Sequence, residues 1–381
     1  MSLQTLQLGM EWFSEAPGGL NRVYAHLLSE LSAQGVESTG LVAGTPDVAR
    51  ASHGLATAFA PSTAPLPLRL RALRTAALPW LRTHGQDSLI VSHFAPYALP
   101  LIDFTRRRPF VVHFQGPWGQ ESLAEGASRL SAMGRELIER QVYQSADAAI
   151  VLSSAFQTIL HARFAVPLEK IHVIPGGVEV GRFATTRTRA ECRAELGWPV
   201  DRPIVLCVRR LVRRVGLDAL IDAVVDVRHS VPDVLVLIAG SGPIRVELER
   251  QITERGLENS VRLLGFVPDA LLPTAYRSAD LSVVPSLSLE GFGLITAESL
   301  AAGTPCAVTP VDALTEIISP LCPQLVAASS SPRDIADVLA RALRGDIPLP
   351  SDTDCVEYAR RHYDWPVIAA RVRAVYEAAV S

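Results

Sequence analysis

The chain has 381 residues, 48% hydrophobic and 20% charged, with a formal net charge of −3. That length fits two domains of roughly 150–200 residues each, and the composition excludes a disordered chain. The charge argues against a general nucleic-acid binder, which needs a basic excess to neutralise phosphates.

The opening segment, MSLQTLQLGMEWF, lacks the positive region and the long apolar run of a signal peptide. No stretch of about 18 apolar residues predicts a membrane span, and the unpaired cysteine pattern points to a reducing compartment, so a cytoplasmic location is expected. Along the first half, apolar runs predict strands at Thr5–Met10, Gly40–Ala43, Leu89–His93, Phe110–Phe114, Ala148–Leu152 and Ile171–Ile174. The second half repeats the pattern at Ile204–Val208, Val234–Ala239, Val261–Leu264, Leu281–Val284, Cys306–Thr309 and Leu325–Ala327. Helical patterns alternate with these runs, the signature of βαβ units and parallel sheets. The first set ends at Pro175–Gly177, where the domain boundary is placed, and the turn-rich Ala194–Pro203 separates the two sets.

Residues 60–85 stand apart, with four prolines and arginines at 69, 71, 74 and 82 among leucines and Trp80. As a helix this segment is amphipathic and basic. It is either an ordinary exposed helix or a surface for anionic lipid or an acceptor. Arg106–Arg108 add charge to the same half. Five scattered cysteines form no CxxC pair or Cys/His cluster, so neither zinc nor a disulfide framework is expected.

The strongest chemical signal is PSLSLEGFGLITAESLAAGTPCAVTP, residues 285–310. A strand ends near Val284, the loop Glu290–Gly291–Phe292–Gly293 follows, and a helix runs from Leu294 to Ala302, closed by Gly303. This sets a helix start at the C-terminal edge of a parallel sheet, where open α/β sheets bind ligands. The N–H groups of Gly293, Leu294 and Ile295 lack intrahelical partners there and can grip a diphosphate. Glu290 and Glu298 would repel phosphate, but a carboxylate suits a diol. Glu290 on the loop is expected at the transferred sugar, and Glu298 on the helix at a ribose.

The Glu290…Glu298 block closely resembles the signature of the retaining family 4 glycosyltransferases of the GT-B fold. The resemblance extends over nearly the whole chain: APGGLNRVYAHLLSEL, VVHFQG, IPGGVEVGRF, CVRRLVRRVGLDALIDA, IAGSGP, VRLLGFVPDALLPTAYRSADLSVVPS and HYDWPVIAARVRAVYEA follow in the family's order. It implies an α/β architecture of two Rossmann-like domains with parallel sheets facing across a cleft. Residues 1–175 would bind the acceptor, 176–355 the nucleotide sugar, and a C-terminal helix over 356–381 would cross back onto the first domain. The implied activity is transfer of a sugar from a nucleotide-diphosphate donor to a glycan, lipid-linked or small-molecule acceptor, as in polysaccharide biosynthesis. Retention, no metal and no cofactor beyond the donor itself are part of the implication. No nucleic-acid partner is expected. Peripheral contact with the inner face of a membrane through residues 66–85 is kept as a reading.

Carried over position by position, the resemblance makes His113, Arg210 and Glu290 catalytic. It makes Gly18, Gly19, Arg214, Gly291, Phe292, Gly293, Leu294 and Glu298 donor-binding. Arg210 would take the leaving diphosphate with its forked guanidinium, while Arg209 would point away and be structural, as would His93. Two departures stand out. Val215 occupies the position of the family's lysine, so Arg213 or Arg214 would substitute or a charge is lost. Asp312 and Ala313 replace two glycines. Asp352-Thr353-Asp354 spells a metal-binding DxD but precedes a helix, which N-capping explains; GSGP at 240–243 fails the full dinucleotide spacing. The competing readings are a non-catalytic nucleotide-sugar or glycan-binding partner protein and a GT-B epimerase. A phosphorylase would need a cofactor lysine, and the single lysine, Lys170, lies before a strand in the first domain.

Overall fold

In the computed structural model, which describes residues 3–16, 18–124, 128–288 and 290–381, the apolar runs form two separate sheets. Pro17 and Leu289, one from each glycine-bearing block, lie outside the described residues. Unit 1 comprises Met1–Gly177 and Trp365–Ser381, and unit 2 comprises Val178–Asp364.

The sheet of unit 1 is built from β1 (Gln4–Glu11), β2 (Glu37–Ala43), β3 (Ala56–Ala60), β4 (Leu89–Ser92), β5 (Phe110–Phe114), β6 (Ala148–Val151) and β7 (Ile171–Val173). Its order is β3-β2-β1-β4-β5-β6-β7. Unit 2 contains β8 (Ile204–Val208), β9 (Leu235–Ala239), β10 (Val261–Gly265), β11 (Leu281–Val284) and β12 (Cys306–Val308), ordered β10-β9-β8-β11-β12. Every pairing in both sheets is parallel. Such strands are covered on both faces, which is why they read as continuous apolar runs.

Two strand expectations change. Ala56–Ala60 (ATAFA) forms the edge strand β3, although its three alanines carry little β-propensity. Leu325–Ala327 is no strand; Val326 makes only an isolated bridge to Val308 at the sheet edge.

The helices that bear on function are α1 (Gly19–Ala33), α2 (Leu66–Thr83), α3 (Arg129–Gln144), α4 (Leu294–Ala301), α5 (Ala313–Ile318), α6 (Asp352–Tyr363) and α7 (Trp365–Ala379). The C-terminal segment differs from the single helix over 356–381. Helix α6 ends at Tyr363 and stays in unit 2, where Val178 N–H donates to the Tyr363 carbonyl (2.8 Å) and Val180 N–H to Asp364 Oδ1 (3.2 Å). The break follows from Pro366, whose ring cannot continue a helix arriving from Tyr363 but fits the first turn of a new one. Helix α7 then covers one face of the unit 1 sheet: Ile368, Ala369, Val372 and Tyr376 pack with Leu27, Val91 and Val111. Trp365 lies flat against Gly177, where a Cβ would come within 2.4 Å of the indole.

Helix α2 resolves the basic segment. Leu73, Ala77, Trp80 and Leu81 are buried in the core on the other face of the unit 1 sheet. Arg74 pairs with Asp103 (2.7 Å) and Arg69 donates to the Tyr97 hydroxyl (3.0 Å), leaving Arg71 and Arg82 exposed. The apolar stripe is therefore used by the protein's own core. Replacing Leu73 by Ala should lower unfolding free energy by about 2–5 kcal/mol, whereas Arg71→Gln should change it by less than about 0.5 kcal/mol. Urea unfolding of the two variants checks this, and similar small losses in both would show that α2 does not face the core.

Candidate functional site

In unit 2 the strand order reverses between β8 and β11, and chains leaving the two strands turn to opposite faces of the sheet. Open sheets of this kind place their ligand crevice at that point, beyond the carboxyl ends of the strands. Two glycines let the surrounding loops close on it. Gly240 follows β9 at φ +144°, and a Cβ there would lie 1.9 Å from the Arg209 carbonyl oxygen. Gly216 (φ +71°) leaves its would-be Cβ 2.0 Å from the Pro285 carbonyl oxygen, drawing the β11 loop against the β8 loop. The GSGP segment is thus a packing device.

These contacts fix the arginine doublet. Arg209 N–H donates to the Ala239 carbonyl (2.9 Å) and Leu211 N–H to the Ser241 carbonyl (2.9 Å), so an extended backbone continues past β8. Leu211 is fully buried, and side-chain alternation then sends Arg209 inward and Arg210 outward. This corrects the sequence reading, which sent Arg209 away. Arg209 Nη2 lies 2.7 Å from Glu290 Oε2 and 3.0 Å from Ser286 Oγ. The two ion-paired side chains are only 11% and 12% exposed. Arg210 is exposed and makes no side-chain hydrogen bond or ion pair among the described residues.

Glu290 is held from three sides. Its Oε2 accepts from Arg209 and from the Ser286 hydroxyl (2.9 Å), and its backbone N–H donates to Asp312 Oδ2 (2.9 Å). Its Oε1 takes no hydrogen bond among the described residues. Asp312 sits at φ +44°, ψ −125°, a conformation that costs a non-glycine residue about 1–3 kcal/mol. The family's glycine would adopt it freely. The aspartate instead gains the Glu290 amide as a partner, so the departure at 312 ties the loop down.

Beyond the loop, Gly293 turns into α4. The N–H groups of Gly293, Leu294 and Ile295 find no acceptor among the described residues. They form an open helix start carrying partial positive charge. Gly291 is half-buried beside them. Phe292 is 5% exposed with its ring against Tyr363 (5.6 Å), so its side chain anchors the loop and only its backbone faces the helix start. Helix α4 is buried almost all round, and Ser299 Oγ ties it to Ser282 (2.6 Å) and to the Thr304 carbonyl (2.8 Å). Glu298 is 4% exposed and accepts from the Tyr276 hydroxyl (3.2 Å). Burial, with Glu298 next, raises the Tyr276 phenol well above its ordinary pKa, keeping it a donor.

The remaining expected residues take the following positions. Arg213 pairs with Glu247 (2.6 Å) at an exposed position, Arg214 is exposed, and Val215 is buried. In unit 1, Gly18 caps α1 and Gly19 begins it, with open space where either Cβ would stand. His113 is largely enclosed by its neighbours. It faces the α7 side of β5, is 5% exposed, shares a 2.7 Å hydrogen bond with Tyr376 through Nε2, and stacks on His93 at 4.1 Å. His93 Nε2 in turn meets Gln7 Oε1 (3.0 Å). The ring is held through Nε2, and its Nδ1 makes no hydrogen bond among the described residues.

The residues missed at the site are thus Arg209, Ser286, Asp312 and Tyr276. The signal for Arg209 was Leu211, since an apolar residue two positions on marks the inward face. Asp354, from the DxD, accepts from Ser351 N–H (3.0 Å) while Ser351 Oγ accepts from Asp354 N–H (3.1 Å), a capping box. All five cysteines are free and buried, and burial pushes Cys207 up to about 12 and Cys306 to about 11.

Residues 188–362 match the family described as Glycosyl transferases group 1, and residues 17–182 match Glycosyltransferase Family 4. A D-inositol 3-phosphate glycosyltransferase of Corynebacterium jeikeium is 31% identical over 330 residues, covering 82% of this chain and 77% of the relative. Among solved structures, sucrose-phosphate synthase from Thermosynechococcus elongatus superposes with a TM-score of 0.79 at 22% identity, covering 99% of this chain and 98% of that one. Anabaena HepE, solved with UDP and glucose, gives 0.78 at 18% identity, covering 99% and 100%. The fold shared with these structures is the GT-B type, with two Rossmann-like domains.

The stacked histidines of unit 1 predict a pH response. Burial holds His113 down at about 3 and, with His113 beside it, keeps His93 well below its ordinary value. The unfolded chain therefore binds protons below about pH 6.5 that the folded chain refuses, and stability falls as pH falls. Each histidine contributes about 1.4 kcal/mol per pH unit in this window. Denaturant unfolding at pH 7, 6 and 5 should show the slope, and His113→Leu should reduce it by about half. An unchanged slope in the variant would refute the buried-neutral assignment.

Proposed function

This chain belongs to the glycosyltransferases of group 1 and family 4, and on that premise we propose that it moves a sugar from a nucleotide-diphosphate donor to a glycan, lipid-linked or small-molecule acceptor. The observation that carries the reading is the half-used carboxylate of Glu290. Oε2 is fixed by a guanidinium and a hydroxyl, while Oε1 is left to accept from a sugar hydroxyl. It stands on the loop that leads into a helix start with three unused amides.

The donor diphosphate would lie on the amides of Gly293, Leu294 and Ile295, with the unpaired Arg210 at its oxygens. Both stabilise the charge that develops as the sugar–phosphate bond breaks. Glu298, kept rigid by Tyr276, is the ribose candidate. Gly18 and Gly19 offer an uncrowded helix start in unit 1 to an anionic group, and His113, through its unused Nδ1, is the candidate for a hydroxyl of the donor sugar. Transfer with retention would use the departing phosphate to take the acceptor proton. Cationic side chains and amides can carry the leaving-group charge, so no metal is required. HepE, crystallised with UDP and glucose, supports a nucleotide-linked donor. The inositol phosphate named for the bacterial relative supports a phosphorylated polyol among small acceptors.

A cytoplasmic location belongs to the proposal. Among the described residues no helix is long and apolar enough to cross a membrane. Contact with an inner membrane face through residues 66–85 is retained only as an electrostatic one through Arg71 and Arg82, because the apolar face of α2 is in the core.

A thermal-shift panel of UDP, GDP, ADP and dTDP should give one clear winner. Ligand at a hundred times its Kd adds about 2.7 kcal/mol to stability. With the matching donor sugar, Glu290→Gln should lower turnover at least about tenfold while the nucleoside diphosphate still binds. Turnover should survive EDTA. If none of the four nucleotides binds, the transferase site is misplaced.

A further inference from the structure

The family's lysine is missing at Val215, whose side chain is buried; Arg213 is turned to Glu247, and Arg214 is exposed with its carbonyl accepting from Leu287 N–H (3.0 Å). One further cation stands against the Glu290 loop at the end of β8. The Arg209 guanidinium uses Nη2 alone for both its protein partners, Glu290 and Ser286. Its Nε is buried with no hydrogen-bond partner, and Nη1 makes no hydrogen bond among the described residues. A sealed guanidinium N–H without an acceptor costs about 1–3 kcal/mol, more for a charged group. Few native sites carry one without a reason.

We propose that Arg209 is the second cation of the donor-diphosphate site and does the work of the absent lysine, approaching from the end of β8 instead of from the turn before α-helix Leu217–Ser230. The inference rests on the transferase reading above and assigns one residue within it. Arg209 cannot turn elsewhere, because Gly240 closes on its carbonyl and the buried Leu211 fixes the strand's inward face. Without donor, Glu290 neutralises the guanidinium, which would otherwise stand unpaired in a nearly sealed position. With donor, Nη2 keeps one N–H on Glu290 while Nη1 donates to a phosphate oxygen, a charge-assisted bond that suits guanidinium and phosphate. One side chain then joins the group that positions the sugar to the group that leaves.

The test compares nucleoside diphosphate with nucleoside monophosphate of the preferred base, titrated calorimetrically into the full chain. Arg209→Gln should weaken diphosphate binding by at least about tenfold, the size of a lost charge-assisted hydrogen bond. Monophosphate binding should change less than about threefold. Arg209→Lys should recover part of the loss, and Arg209→Gly combined with Val215→Lys, which returns the cation to the family position, should recover diphosphate affinity without Arg209. Wild-type diphosphate affinity in Arg209→Gln would overturn the proposal and leave Arg209 as a support for Glu290. So would equal losses for both nucleotides in a folded variant. If the wild-type chain binds neither nucleotide, the failure lies with the transferase reading itself.

Discussion

The crevice between β8 and β11 is the constraint on which the site depends. In a parallel sheet each connection must cross a face, and where the order reverses, adjacent strands send their chains to opposite faces. Backbone N–H groups at the next helix start are then left without intrachain acceptors. Here that helix is α4, and the buried hydroxyls of Ser282 and Ser299 pin it against β11. Its orientation is therefore set by the core, before any ligand arrives, and the three free amides are already aimed.

Around this scaffold the charges are arranged in series. Asp312 accepts from the Glu290 amide, Glu290 accepts from Arg209, and Arg209 keeps unused donors. A buried ion pair contributes little net stability, because desolvating both partners offsets the attraction. A strained aspartate subtracts more. Neither arrangement makes sense as a means of holding unit 2 together. Both make sense as a means of holding one carboxylate oxygen and two guanidinium edges in fixed directions, with the cost carried by a core of fully buried strands.

Unit 1 solves a similar problem differently. The polar groups at the middle of its sheet (Gln7, His93, His113 and Tyr376) are linked by the Gln7–His93 and His113–Tyr376 hydrogen bonds and the stacked imidazoles. The C-terminal helix is thus joined to the sheet by a hydrogen bond as well as by Trp365 and its apolar face. A histidine near a strand end can serve as a ligand or as core, and the difference lies in what covers it. Here Tyr376, 263 residues away in sequence, covers it.

By itself the sequence determined the two parallel sheets, the boundary near residue 177, the glycine loop running into α4, and the membership of the family. Each rests on short-range facts: apolar runs of strand length, glycines at helix ends, motif blocks in order. Strand β3 escaped because alanine carries little strand signal at a sheet edge, and the break at Asp364 was legible only in Pro366. What the tertiary structure alone decided was direction. It sent Arg209 inward because Leu211 had to be buried, enclosed His113 because α7 returns over β5, and spent the apolar stripe of α2 on the core. Asp312 found its use only when folding brought it to the Glu290 amide. Side-chain direction depends on which distant surface a residue meets, and that is fixed by packing between elements far apart in the chain.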